Sequence, residues 1–192
     1  MSIEEGKGRI RRVTVQRMEQ MASQLRDDDP TGFAAIVGQH QSMVFSLAYH
    51  FLRNRAQAED IAQEVFLSLY RNLAAIESPE HLRFWLRKAA CRRCLDCARR
   101  QKLRRFLRLE DVPEPVIAAP VPDPMLRQML LRLVASLPEK QRMILVLRYQ
   151  EDLDPAEIAR VLDIPLNTVK SYLQRSLNAL RDKVKRCIDK VG

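Results

Sequence analysis

The stretch Asp154-Pro155-Ala156-Glu157-Ile158-Ala159-Arg160-Val161-Leu162-Asp163-Ile164-Pro165-Leu166-Asn167-Thr168-Val169-Lys170-Ser171-Tyr172-Leu173-Gln174-Arg175 decides the fold. Asp154 can cap a helix, and Pro155 suits the first helical position because proline lacks the amide that would go unpaired there. Glu157 stands three residues past the cap, where an acid completes the helix-start pattern. A short helix is predicted from that point, with Ile158, Ala159 and Leu162 inward, until Asp163-Ile164-Pro165 breaks it. A second helix follows from about Leu166, its apolar stripe traced by Val169, Leu173, Leu177, Leu180 and Val184. The opposite side of that helix, at about 100° per residue, shows Asn167, Ser171, Gln174, Arg175 and Asn178, with Lys170 and Tyr172 on the flanks. Asn and Gln can pair bidentately with adenine, Arg with guanine, and Ser with a base or a phosphate, as in a helix laid in a DNA major groove. Any amphipathic surface helix has polar residues outside, so the charge distribution matters. Residues 137–163 hold four bases and six acids, whereas 170–186 hold six bases and one acid. Attraction for phosphates is therefore concentrated on the second helix and its extension.

Upstream, residues 111–124 read Asp-Val-Pro-Glu-Pro-Val-Ile-Ala-Ala-Pro-Val-Pro-Asp-Pro, and the five prolines remove amide donors and block helix. This segment is predicted to be a semi-stiff linker that can bridge two bodies a few nanometres apart without folding on either. Four parts result: an N-terminal extension 1–28 with a candidate helix from Thr14 to Leu25, a first module 29–108, the linker 109–124 and a second module 125–187. In the first module Phe33, Ile36, Val37, Val44, Leu47, Ala48 and Phe51 form one helical stripe. Ile61, Ala62, Val65, Phe66, Leu69 and Leu73 form another, and a third helix begins near Pro79. Neither module shows the period-two alternation of strands, so the expected fold class is all-α, two small helical domains joined by the linker.

Composition agrees with this reading. Five Gly and a 6% aromatic share in 192 residues argue against sheet-rich sandwiches and barrels. No apolar run approaches the roughly 18 to 20 residues of a membrane span, since Arg142 and Arg148 flank the greasiest stretch, Met143 to Leu147. The N-terminus lacks the order of a secretion signal, so the chain is read as cytoplasmic. The net charge of +9 points to a polyanionic partner, and residues 81–108 alone carry eleven bases against one acid, Asp96.

Taken together, these residues resemble the extracytoplasmic-function sigma factors, compact initiation factors of bacterial RNA polymerase with two helical domains. Ala58-Glu59-Asp60-Ile61-Ala62-Gln63-Glu64-Val65-Phe66 looks like the family's helix that docks on the coiled coil of the polymerase's largest subunit. Leu137-Pro138, Glu157-Ile158-Ala159 and Thr168-Val169-Lys170-Ser171 resemble its helix-turn-helix for the minus-35 promoter element. The match covers about residues 29 to 187. It implies that Asp60, Gln63 and Glu64 bind polymerase, and their spacing away from Ile61, Val65 and Phe66 suits an exposed acidic patch. It implies also that the basic helix holds melted minus-10 DNA through Trp85, Lys88, Arg92, Asp96 and Arg99. Of these, Trp85, Lys88, Arg92 and Arg99 fall within about 60° on a helical wheel, an indole beside three cations. The minus-35 duplex would be met by Asn167, Thr168, Lys170, Ser171, Tyr172, Gln174 and Arg175. Three positions depart from the family: Arg92 where Asn is common, Pro165 where Ser is usual, and Tyr172 where Arg is frequent. Family members are often held by an inhibitory anti-sigma partner, but no motif identifies one here.

Other chemistries find little support. On one continuous helix Cys91, Cys94 and Cys97 fan over about 120°, so three thiolates cannot converge on one zinc. Cys94 and Cys97 are expected to pack as small apolar residues beside Leu86 and Ala90. His40, His50 and His81 are scattered without ligand spacing and read as ordinary surface or packing residues. With no P-loop, nucleotide fingerprint or hydrolase motif, no enzyme, catalytic residue, metal or cofactor is expected. The competing reading is a free-standing helix-turn-helix regulator whose first module dimerises or senses a signal.

Overall fold

The computed structural model describes residues 30–107 and 124–188, and every regular element in it is helical. In chain order these are α1 (Pro30–Leu52), α2 (Arg55–Arg71), a 3-10 turn (Leu73–Ala75), α3 (Pro79–Leu107), α4 (Pro124–Ala135), α5 (Glu139–Tyr149), α6 (Pro155–Leu162) and α7 (Leu166–Ile188). The candidate helix Thr14 to Leu25 and all of the linker but Pro124 lie outside the described residues.

Local chemistry sets the helix ends. Asn54 caps α2 by accepting the Gln57 N–H at 2.9 Å, and at the far end the Asn72 side chain donates to the Ser68 carbonyl at 2.7 Å. The Ser78 hydroxyl accepts the His81 N–H at 3.1 Å where α3 begins. At α6 the Asp154 carboxylate accepts from Ala156 and Glu157 at 2.7 and 2.8 Å, while Glu157 accepts from the Asp154 N–H at 2.8 Å. Asp163 ends α6 in the left-handed conformation at φ 56°, which short polar side chains tolerate better than most. That reversal aims α7 across α6 and makes the tight turn expected from Asp163-Ile164-Pro165.

In the first module Val44, Leu47, Ala48 and Phe51 of α1 meet Ala58, Ile61, Val65, Phe66 and Leu69 of α2, and Leu82, Leu86, Ala90, Cys91, Cys94 and Ala98 of α3 close the bundle. In the second, α5, α6 and α7 pack together around Met143, Ile144, Leu147, Ile158, Val161 and Val169. Two details differ from the periodicity reading. Val161 is buried on α6, and Ser176 is fully buried on α7 while Leu177 is exposed. Ser176 sits seven residues after Val169, on the inward stripe, and its hydroxyl donates to the Gln141 side chain at 3.3 Å, which makes its burial tolerable.

The two modules do not stand apart. α5 packs on α1 and α3 as well as on α6 and α7, and a single apolar cluster runs through both modules. This explains why Met143, Ile144, Leu145, Val146 and Leu147 are buried consecutively. Five successive helical residues point all the way round the axis, so α5 is enclosed on every side. Full burial of Met143, Ile144 and Leu147 contributes roughly 5–9 kcal/mol before chain entropy is counted.

Candidate nucleic-acid interface

α7 carries the first set of site residues. Asn167, Lys170, Ser171, Gln174, Arg175 and Asn178 are exposed, opposite the buried Val169 and Ser176. Gln174 donates to Asn178 at 3.1 Å, so two of the candidate base-reading amides are already oriented by each other. Thr168 and Tyr172 sit differently. Both are half-buried, the Thr168 N–H donates to the Pro165 carbonyl at 2.9 Å, and the Tyr172 ring packs against the core. The structure thus brings five of the seven predicted residues onto one open face and leaves two at its margin.

α3 has three distinct sides. Leu82, Leu86 and Ala90 face the first module's core. Arg87, Cys91, Cys94, Ala98 and Lys102 span about 80° of the wheel and turn toward the second module. Arg87 is ion-paired with Glu151 at 3.1 Å and Lys102 with Glu139 at 3.8 Å. The remaining side holds Trp85, Lys88, Arg92, Asp96 and Arg99, again within about 80°. Arg92, Asp96 and Arg99 are exposed, while Trp85 and Lys88 are half-buried, the indole leaning on the core and the Lys88 Nζ lying 5.6 Å from the centre of the Phe84 ring. Asp96 pairs with Arg99 at 3.1 Å, so the lone acid of this face is locally neutralised.

On α2, Asp60, Gln63 and Glu64 are exposed opposite Ile61, Val65 and Phe66, as the spacing predicts. Glu64 is ion-paired with Arg93 of α3, which ties this acidic patch to the basic helix. Leu67, missed in the sequence reading, is 59% exposed one turn beyond Gln63 and Glu64. The available signal was its position on the same side of the helix, seven residues after Asp60.

The thiols and histidines give a mixed result. Cys94 is fully buried as expected, but so is Cys91, whereas Cys97 is half-buried. Burial pushes the Cys94 thiol up to about 12 and raises Cys91 as well, so neither is a ready nucleophile in this arrangement. His40 is a buried packing residue, 4% exposed, with an Nε2 that finds no hydrogen-bond partner among the described residues. Burial, followed by the charges of Arg83 and Arg87, holds its pKa below the ordinary value. Among the described residues no cluster of His, Cys, Asp and Glu is arranged to hold a metal, and no helix is long and apolar enough to cross a membrane.

Comparison with known proteins matches these surfaces to one family. Residues 36–104 match the model for sigma-70 region 2, and residues 127–180 the model for sigma-70 region 4. The extracytoplasmic-function (ECF) RNA polymerase sigma factor SigE of Mycolicibacterium smegmatis is 31% identical over 81% of this chain and 68% of its own length. SigW of Bacillus subtilis is 29% identical over 84% of this chain and 94% of its own. Among solved structures, the sigma factor RpoE of Bartonella quintana, in complex with the anti-sigma factor NepR, shares the fold at a TM-score of 0.67. It is 16% identical and covers 80% of this chain and 96% of its own. Two family regions in the right order on an all-helical frame place the chain among the ECF RNA polymerase sigma factors, which direct RNA polymerase to promoters to initiate transcription.

Proposed function

We propose that this sigma factor divides its work among three helix faces. The α2 face of Asp60, Gln63 and Glu64 docks on the coiled coil of the polymerase's largest subunit, where an acidic patch meets a basic partner. The α3 side of Trp85, Lys88, Arg92, Asp96 and Arg99 holds the separated minus-10 strand. An unstacked base rests on the indole while phosphates meet the cations. The α7 face reads the minus-35 duplex: Asn167, Gln174 and Arg175 offer base-edge pairing, and Lys170 and Ser171 offer phosphate contacts. Thr168 and Tyr172 flank that face. Residues 29–108 and 125–187 are the two working domains. The chain supplies binding and positioning in the cytoplasm, and the bond-forming chemistry is the polymerase's. Solved neighbours are complexes with anti-sigma factors, which supports an inhibitory protein as a further partner.

The observation that carries this reading is the exposure of α7's polar side directly opposite its buried stripe, within a helix-turn-helix whose first helix is held by a complete capping box. Asp60→Arg tests the division of labour in the full chain. Core polymerase binding should be lost while affinity for the minus-35 duplex is unchanged. Unaltered core binding would remove α2 from the docking role.

A further inference from the structure

We propose that the second module, seated on the α3 flank, is a self-docked closed form of the chain, and that the seam must part before both promoter elements can be engaged. The inference rests on the two-element reading above. The seam is built as an interface, with α5 enclosed by helices of both modules. Glu151, whose side chain is only 6% exposed, is paired with Arg87, and the Arg142 guanidinium lies 4.5 Å above the Phe51 ring from the other module. A buried carboxylate and guanidinium hold the modules in one register, because each would be left desolvated and unpaired by a slipped contact.

Dimensions show why this form cannot serve the promoter. Elements centred near minus-35 and minus-10 are about 25 base pairs apart, or roughly 85 Å of duplex at about 3.4 Å per pair. A compact body of this many residues is only about 40 Å across. Parting the seam removes the limit, since the 16 residues between α3 and α4 can span up to about 55 Å in addition to the modules themselves. The minus-10 side of α3 already faces away from α5, so opening is needed for reach, not to uncover that side. What opening does uncover is the flank of Cys91, Cys94 and Ala98.

The test locks the seam reversibly. In the full-length chain with Cys97→Ser and Cys187→Ser, Lys102→Cys and Glu139→Cys place reactive thiols on either side of the seam, at a pair whose charged groups lie 3.8 Å apart. Bridging them with a cleavable bismaleimide should leave core polymerase binding in place and reduce promoter-specific transcription at least tenfold. Cleaving the bridge should restore it. Full transcription by the bridged protein would overturn the proposal. The unbridged control separates the two readings, because a control that drives no transcription contradicts the promoter-directing mechanism itself. A second measurement follows Cys91 in the Cys97→Ser, Cys187→Ser chain without the bridge. Arg87→Glu should speed its reaction with a small disulfide reagent at least tenfold, and adding Glu151→Arg should slow it again. Equal reactivity in all three proteins would sink the assigned latch.

Discussion

Trp85 is the only tryptophan in the chain, and its placement sets two roles against each other. The indole is half-buried against the first module's core, yet it lies on the α3 side that carries Lys88, Arg92 and Arg99. Leucine at this position keeps most of the apolar packing but removes the flat π face, so Trp85→Leu separates packing from stacking. Loss of one stacked base is worth about 1–3 kcal/mol, which corresponds to roughly a 5- to 150-fold drop in the population of melted promoter. Complete truncation of a fully buried aromatic costs about 3–5 kcal/mol of stability, and a half-buried ring replaced by leucine should cost no more than about 2. Permanganate reactivity of minus-10 thymines, titrated with the reconstituted polymerase, reads melting, and urea unfolding of the free chain reads stability. Trp85→Leu should lower melting at least fivefold with at least 95% of the chain folded, while Trp85→Phe, which keeps an aromatic face, should retain most of it. Wild-type melting by Trp85→Leu would show that the ring is a core residue and nothing more.

Three further outcomes follow from named contacts. Arg175→Ala should weaken binding to the specific duplex by about 1–3 kcal/mol if the guanidinium meets a base edge, and equal losses on all sequences would assign it to a phosphate instead. Asp154→Ala removes the acceptor for two amides at the start of an eight-residue helix and should cost about 1–2 kcal/mol in urea unfolding, with Asp154→Asn recovering most of it; equal stability of the alanine and asparagine variants would refute the capping role. His40 favours its neutral form in the fold, so the unfolded chain takes up more protons as pH falls through about 6.5. Its contribution to stability is complete above that pH and lost below it. Glu151 acts with the opposite sign, because burial raises its pKa despite the adjacent Arg87, and so the difference between wild type and His40→Leu isolates the histidine. That variant should show a shallower loss of stability between about pH 7.5 and 5.5, and an unchanged slope would refute the assignment.

Much of the fold was legible because local signals agreed. Asp154, Pro155 and Glu157 announce a helix start that the capping box realises, and the α1 and α2 stripes supplied most of the first module's core. Ser176 was missed because a stripe drawn only through apolar residues passes over a serine whose hydroxyl finds a buried partner. Tyr172 and Thr168 were placed with the DNA-facing residues by motif, but a wheel alone does not show that the tyrosine ring folds back on the core. Docking of one module on the other was the largest omission, although Met143 to Leu147 carried its signal. Five consecutive apolar residues between two arginines exclude a membrane span, and in a short helix they also demand cover on every side. The partner supplying that cover was not legible, because Glu151 and Arg87 are 64 residues apart and no local rule joins them.

Run-off transcription by the purified chain with core polymerase, over a library of linear templates, is the most direct measurement. Defined transcripts should appear only when both proteins are present, from templates sharing two spaced sequence elements, and Asp60→Arg should abolish them. Failure to associate with core polymerase, together with no template-specific initiation anywhere in the library, would contradict the promoter-directing role. Tight binding of the chain alone to a palindromic duplex would then favour a free-standing regulator.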